Sequence, residues 1–168
     1  LRRAAQLLAH RPDLQIVNIR GNVDTRLRKA ATEEYDAVVL AAAGIHRLGL
    51  AERITAYLPL DVMLPAVGQG ALAVEVRGAG GERERREDAE IRRLMSLLDH
   101  APTRAATTAE RAFLRALGGG CRLPIAAYGE VSGHTLRRRG RGATADGRQG
   151  WRGEGRGTVK NAEELGEQ

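Results

Sequence analysis

The stretch Leu14-Gln15-Ile16-Val17-Asn18-Ile19-Arg20-Gly21-Asn22-Val23-Asp24-Thr25-Arg26-Leu27 decides how the first half of the chain reads. Residues 14–19 are rich in Leu, Ile and Val, a composition that predicts a buried strand. Arg20-Gly21-Asn22 then turns the backbone into a helical run over 23–31, which Asn22 or Asp24 can cap. The pattern repeats at once: residues 37–41 predict a second short apolar strand, and Ala42-Ala43-Gly44 leads into a brief helix around 45–48. Strand, helix, strand, helix predicts a parallel α/β layer. In such layers ligands gather where strands end and helices begin. Arg20 and Arg26 stand at one such junction and Arg47 follows the next strand in the equivalent place, so they are candidate anion ligands. Solvated surface arginines are the alternative reading.

Outward from this core, residues 1–10 place Leu1, Ala4, Ala5, Leu7 and Leu8 on one helical face, with Pro12 as the stop. Residues 61–64 and 71–77 read as extended, separated by Pro65-Ala66-Val67-Gly68-Gln69-Gly70. Residues 78–86 are a Gly and charge run without an apolar pattern, the best linker in the chain. Beyond it, Ile91, Leu94, Met95 and Leu98 predict one amphipathic helix, and Ala105, Ala109, Ala112, Phe113, Ala116 and Leu117 a second. Residues 125–131 and those after Ser132-Gly133 predict a hairpin, and Asp146-Gly147 a further turn. The second unit is therefore two helices followed by a small antiparallel sheet. Residues 137–142, Arg-Arg-Arg-Gly-Arg-Gly, lack the apolar alternation of a half-buried strand and are expected to be loose.

The single cysteine lies in Gly118-Gly119-Gly120-Cys121-Arg122-Leu123-Pro124, between the second helix and the hairpin. Glycines there can end a helix in left-handed geometry and clear space beside the sulfur. Covalent chemistry at Cys121 and a small buried thiol after a helix cap both fit. One cysteine excludes an intrachain disulfide framework, and no Cys/His cluster has metal-ligand spacing. A reducing cytoplasm fits best. No apolar run reaches the length of a membrane span. The net charge of +6 is local: residues 134–160 hold eight Lys/Arg against two acids, and the rest of the chain carries 19 of each. One Phe, one Trp and three Tyr leave little to stack on bases, so nucleic acid is a minor alternative.

Five stretches taken in order resemble the porphobilinogen deaminase (hydroxymethylbilane synthase) family: Leu1-Arg2-Arg3; residues 19–27; residues 35–41; Leu64-Pro65-Ala66-Val67-Gly68-Gln69-Gly70; and the glycine-rich loop of Cys121. The likeness runs from Leu1 to about Glu130. It implies an enzyme, a transferase that condenses four porphobilinogen molecules head to tail into hydroxymethylbilane and releases ammonia from each, in tetrapyrrole (heme) biosynthesis. It implies a dipyrromethane cofactor held through the sulfur of Cys121. It also implies that Arg2, Arg3, Arg20, Arg26 and Arg47 bind the acetate and propionate groups of cofactor and growing chain. Each pyrrole unit brings two carboxylates, and planar guanidinium groups bind carboxylates through paired, charge-assisted hydrogen bonds.

The implied organisation is a periplasmic-binding-protein-like α/β domain, incomplete, over residues 1–64. A crossover segment and linker at 65–86 belong to a first domain, and an α+β cofactor-attachment domain covers 87–168. The family's catalytic aspartate sits in a His-Ser-Leu-Lys-Asp motif that this sequence lacks. No catalytic residue and no metal site is therefore assigned here. The chain begins without Met, inside the Leu-Arg-Arg segment, and its last helix looks short. The expectation is a C-terminal portion that is inactive alone, from a cytoplasmic, monomeric enzyme with a small-molecule substrate and no nucleic-acid or membrane partner. A non-catalytic anion-binding α/β module and a nucleic-acid binder using the basic tail stay open.

Overall fold

The computed structural model describes residues 1–32, 34–81, 85–119 and 123–168. Its helices are α1 (Arg2–His10), α2 (Val23–Lys29), α3 (Ala42–Arg47), α4 (Arg86–Ser96), α5 (Ala101–Ala116) and α6 (Ala162–Glu167). Three antiparallel strands in the order β1 (Ile125–Ser132), β2 (Thr135–Ala143) and β3 (Gly150–Thr158) form the sheet. No helix among the described residues is long and apolar enough to cross a membrane.

Local signals account for the helix ends. The Asn22 side-chain oxygen accepts the Thr25 N–H at 2.8 Å, satisfying one of the free donors of α2. Asp24 in the first turn of α2 and Arg26, Arg28 and Lys29 in the last complement its dipole. At α4 the Asp88 carboxylate accepts the Arg85 N–H at 2.8 Å and pairs with Arg77 at 2.9 Å, tying the helix start to the extended run before it.

The predicted parallel layer is not formed. Residues 14–19, 37–41, 61–64 and 71–77 carry no strand ladder among the described residues. Ile16, Val17, Leu72 and Val74 remain exposed, Leu72 at 81 %. A strand exists only where a neighbour some 4.8 Å away takes up its N–H and C=O groups. Apolar, β-branched composition favours extended backbone without supplying that neighbour.

The sheet is ordered where looseness was expected. Strand β2 is central, with a full ladder to each side: Ile125 faces Gly142 on β1, and Trp151 faces Gly142 on β3. Leu136 joins Ala109, Ala162 and Leu165 in a core with Val131 and Val159 beside it. Glycines in β2 are covered from elsewhere: the Phe113 ring lies where a Cβ on Gly140 would stand and the Trp151 indole where one on Gly142 would. Arg138 is 3 % exposed. Its guanidinium lies 4.4 Å from the Phe113 ring centroid, and its Nε donates to the Leu165 carbonyl, a free acceptor of the last turn of α6, at 3.3 Å. Helices α5 and α6 cross closely because Gly166 has no side chain: a Cβ there would collide with the Ala109 carbonyl oxygen.

One buried carboxylate joins the crossover loop to this unit. Glu110, 5 % exposed on α5, accepts the Gly68 N–H at 2.6 Å through Oε2 and the Gly129 N–H at 2.8 Å through Oε1. Burial pushes its pKa up from the ordinary value near 4.5, and the two N–H donors offset part of that rise. A raised acid binds a proton in the folded chain that the unfolded chain has already released. The contribution of Glu110 to stability is therefore fully present below its ordinary pKa and is lost as pH rises through the raised one. Urea denaturation midpoints of wild type and Glu110→Gln, taken from about pH 4 to about pH 7, should show this component of the slope in wild type only. Parallel pH profiles would mean that Glu110 ionises as an ordinary carboxyl.

Candidate functional site

The site is built on α1. Its Gln6 is 1 % exposed, and its amide is used at both ends: Nε2 donates to the Leu64 carbonyl at 3.0 Å and Oε1 accepts the Leu64 N–H at 2.9 Å. That pair fixes the helix against the segment leading into Pro65. The two residues that open α1 are then held by backbone carbonyls on different segments. Arg2 Nε donates to the carbonyl of Ile125 at the start of β1, and Arg3 Nη1 donates to the carbonyl of Val39 at 3.0 Å.

Both arginines line a cleft of about 610 Å³, walled by residues 36–42, 53–58 and 63–66 among others. Burial lowers the pKa of Arg3 first, and the positive charges of Arg26 and then Arg2 lower it further. Arg26 and Arg2 thus both lie within electrostatic reach of Arg3. None of the three has an ion-pair partner among the described residues. Arg26 is oriented by its own turn, its Nε donating to the Gly21 carbonyl at 2.8 Å. Asp36 is the acid among the cleft residues.

Of the candidates read from sequence, the structure brings Arg2, Arg3 and Arg26 together. Arg20 and Arg47 are exposed, and they, like Arg26, are not among the residues lining the cleft. Cys121 lies outside the described residues. Before it, Gly118 takes the left-handed φ of 62° expected of a helix-ending glycine, and Gly119 N–H closes on the Leu114 carbonyl at 2.9 Å. After it, Ile125 is the residue whose carbonyl receives Arg2.

Sequence reading missed three cleft residues: Arg53, Tyr57 and Gln69. Gln69 belongs to a quoted motif without a role. Arg53 and Tyr57 follow no strand, so a rule that looks for arginines after strands passes over them.

A cleft lined by Arg2, Arg3 and Arg53, none of them ion-paired among the described residues, has the chemistry of a protein that binds a small polycarboxylate or another oxyanion. The comparisons sharpen that class. Residues 1–87 match the model of the porphobilinogen deaminase dipyromethane cofactor binding domain, and residues 105–168 match that of the porphobilinogen deaminase C-terminal domain. The chain belongs to the porphobilinogen deaminase family. It is 49 % identical over 166 residues to the porphobilinogen deaminase of Desulforudis audaxviator, covering 99 % of this chain and 51 % of that protein. With that of Geobacillus kaustophilus the identity is 53 % over 150 residues, covering 89 % and 46 %. With that of Pelobacter propionicus it is 48 % over 168 residues, covering 100 % and 52 %. The chain spans about half the length of the curated relatives it matches.

Because the cleft depends on Gln6, replacing it with Met of similar length should leave the Leu64 N–H and C=O buried without partners. The expected loss is about 2 kcal/mol or more of unfolding free energy, read from the shift of the urea midpoint at unchanged m-value. A loss within about 0.5 kcal/mol would show that water or a neighbouring group takes over both bonds.

Proposed function

We propose that this chain performs the carboxylate-binding and cofactor-attachment part of porphobilinogen deamination, the condensation of four porphobilinogen molecules into hydroxymethylbilane with release of ammonia. The observation that carries this reading is the placing of Arg2 and Arg3 in one cleft, with Arg26 within electrostatic reach of Arg3 and none of the three ion-paired among the described residues. Such a cluster is unfavourable by itself and becomes favourable when carboxylates enter. A dipyrromethane bears several carboxylates, so the donor set fits it: Arg2, Arg3 and Arg26 would hold its acid groups and Cys121 its thioether. When bound, it supplies the free pyrrole carbon from which the chain is extended. Apolar residues at 37–41 line the cleft beside these guanidinium groups and offer surface for the pyrrole rings. Arg20 and Arg47, exposed at the ends of their segments, are the proposed partners for carboxylates of the lengthening chain.

For the whole enzyme the proposed division of these residues is a periplasmic-binding-protein-like α/β unit over 1–64, a crossover and linker at 65–86, and a cofactor-attachment unit over 87–168. The whole enzyme is proposed to be a cytoplasmic monomer acting on a small molecule, without a nucleic-acid or membrane partner. Against the nucleic-acid reading stand the bonds already made by the basic strand. Arg137 pairs with Glu154 at 2.6 Å, Arg138 is buried under Phe113, and Arg141 donates to the Val62 carbonyl at 3.1 Å.

Three measurements test the proposal. Titrating porphobilinogen into the 168-residue chain should show binding that weakens by roughly tenfold or more in Arg26→Leu, the loss of one charge-assisted pair. Arg148→Leu, at a side chain 87 % exposed, should bind as wild type. Equal effects from the two would remove the assigned site. After incubation with porphobilinogen, peptide mass mapping should place any pyrrole adduct on Cys121. Because no residue here stands in the His-Ser-Leu-Lys-Asp motif, the loaded chain should form no hydroxymethylbilane. An adduct elsewhere, or turnover by the chain alone, overturns that assignment.

A further inference from the structure

One wall of the cleft has no assigned role. After the short 3-10 turn Ala51–Arg53 the backbone becomes extended at Ile54, and Arg53, Thr55 and Tyr57 all line the cleft. Arg53 differs from the other two cations there. Arg2 and Arg3 each donate to a backbone carbonyl, whereas the Arg53 side chain is exposed and has neither a hydrogen-bond nor an ion-pair partner among the described residues. An unpaired guanidinium facing a cleft keeps its full fork of donors for a ligand.

Tyr57 is the aromatic residue among the cleft-lining residues, and its side chain has a partner. Its hydroxyl lies 2.9 Å from His46 Nε2, and the two rings are stacked with centroids 6.1 Å apart and planes at 14°. At 62 % exposure a tyrosine is ordinarily free to change rotamer. The bond to His46, in the last turn of α3, holds the ring as a preset flat surface.

We propose that Arg53 and Tyr57 form a further pyrrole subsite of the cleft, Arg53 pairing with a ring carboxylate and Tyr57 covering a pyrrole face, with His46 as the residue that positions Tyr57. The inference rests on the reading of the cleft as a pyrrole-carboxylate site and adds a wall to it. A chain that lengthens by dicarboxylate units needs guanidinium partners beyond those that hold its first unit, and it needs apolar faces for rings as well as cations for acids. Arg53, the last residue of the 3-10 turn, and Tyr57, four residues on, both line the cleft and bring the two together.

The test is titration of porphobilinogen into the 168-residue chain and into Arg53→Leu, Arg53→Lys, Tyr57→Leu, His46→Leu and His46→Gln, with Arg3→Leu as reference. Arg53→Leu and Tyr57→Leu should each bind roughly tenfold or more weakly with the far-ultraviolet circular dichroism unchanged. Arg53→Lys should recover part of the loss by restoring the charge. His46→Gln, which can still hydrogen-bond the phenol, should bind better than His46→Leu. The Tyr57 ring protons should shift on addition of porphobilinogen. Wild-type affinity in Arg53→Leu and Tyr57→Leu, or unshifted Tyr57 protons while Arg3→Leu binding is impaired, overturns the subsite and leaves the cleft reading intact. Absence of porphobilinogen binding by the wild-type chain overturns the cleft reading, and the subsite with it.

Discussion

A single side-chain amide holds the arrangement together. Gln6 gives Leu64 one donor and one acceptor, the pairing that a neighbouring strand would otherwise provide. Burying an amide is unfavourable unless both ends are bonded, and here both are. The consequence is that α1 has one position relative to the cleft wall. The same helix also meets the sheet-bearing unit: Arg2 reaches the Ile125 carbonyl, and a Cβ on Gly147 would stand 2.5 Å from the Ala5 carbonyl oxygen. Only a residue without a side chain, at a positive φ of 71°, permits that approach. One short helix thus fixes both the cations and the start of β1.

Arginine has two fates in this chain, and the neighbours decide which. Arg2, Arg3 and Arg26 each donate to a backbone carbonyl and have no ion-pair partner among the described residues, and Arg26 and Arg2 both repel the partly buried Arg3. Arg137, Arg138 and Arg141 on β2 are engaged internally, by a carboxylate, by an aromatic face with a helix-end carbonyl, and by a loop carbonyl. The first group is available for ligand chemistry. The second supplies cross-sections that aliphatic residues supply in an ordinary strand, since long arginine stems fill space while their heads find polar atoms. The Nη1 of Arg138 still lacks a partner, a cost of that substitution of charge for apolar bulk.

Where the chemistry is local, the sequence was legible. The Asn22 cap, the helices α1, α4 and α5, the glycine that ends α5 and the hairpin turns each depend on a few consecutive residues. The misreadings share one cause. Residues 14–19 and 71–77 have strand composition but no ladder partner, and residues 137–142 lack strand composition but have two. Pairing is a property of the neighbour, and the aromatic rings covering Gly140 and Gly142 come from α5 and β3. No window of consecutive residues contains that information.

By itself the sequence determined the family, through short motifs whose order and spacing survive in one dimension, and the caps and turns that start and stop its helices. It also presented five arginines as equal candidates. Only the tertiary structure separated them, bringing Arg2, Arg3 and Arg26 within electrostatic reach, leaving Arg20 and Arg47 exposed, and adding Arg53 and Tyr57 to the cleft. The physical reason is range: a cap acts over three residues, whereas repulsion between guanidinium groups and the bond from Gln6 to Leu64 act through space between segments up to 58 positions apart.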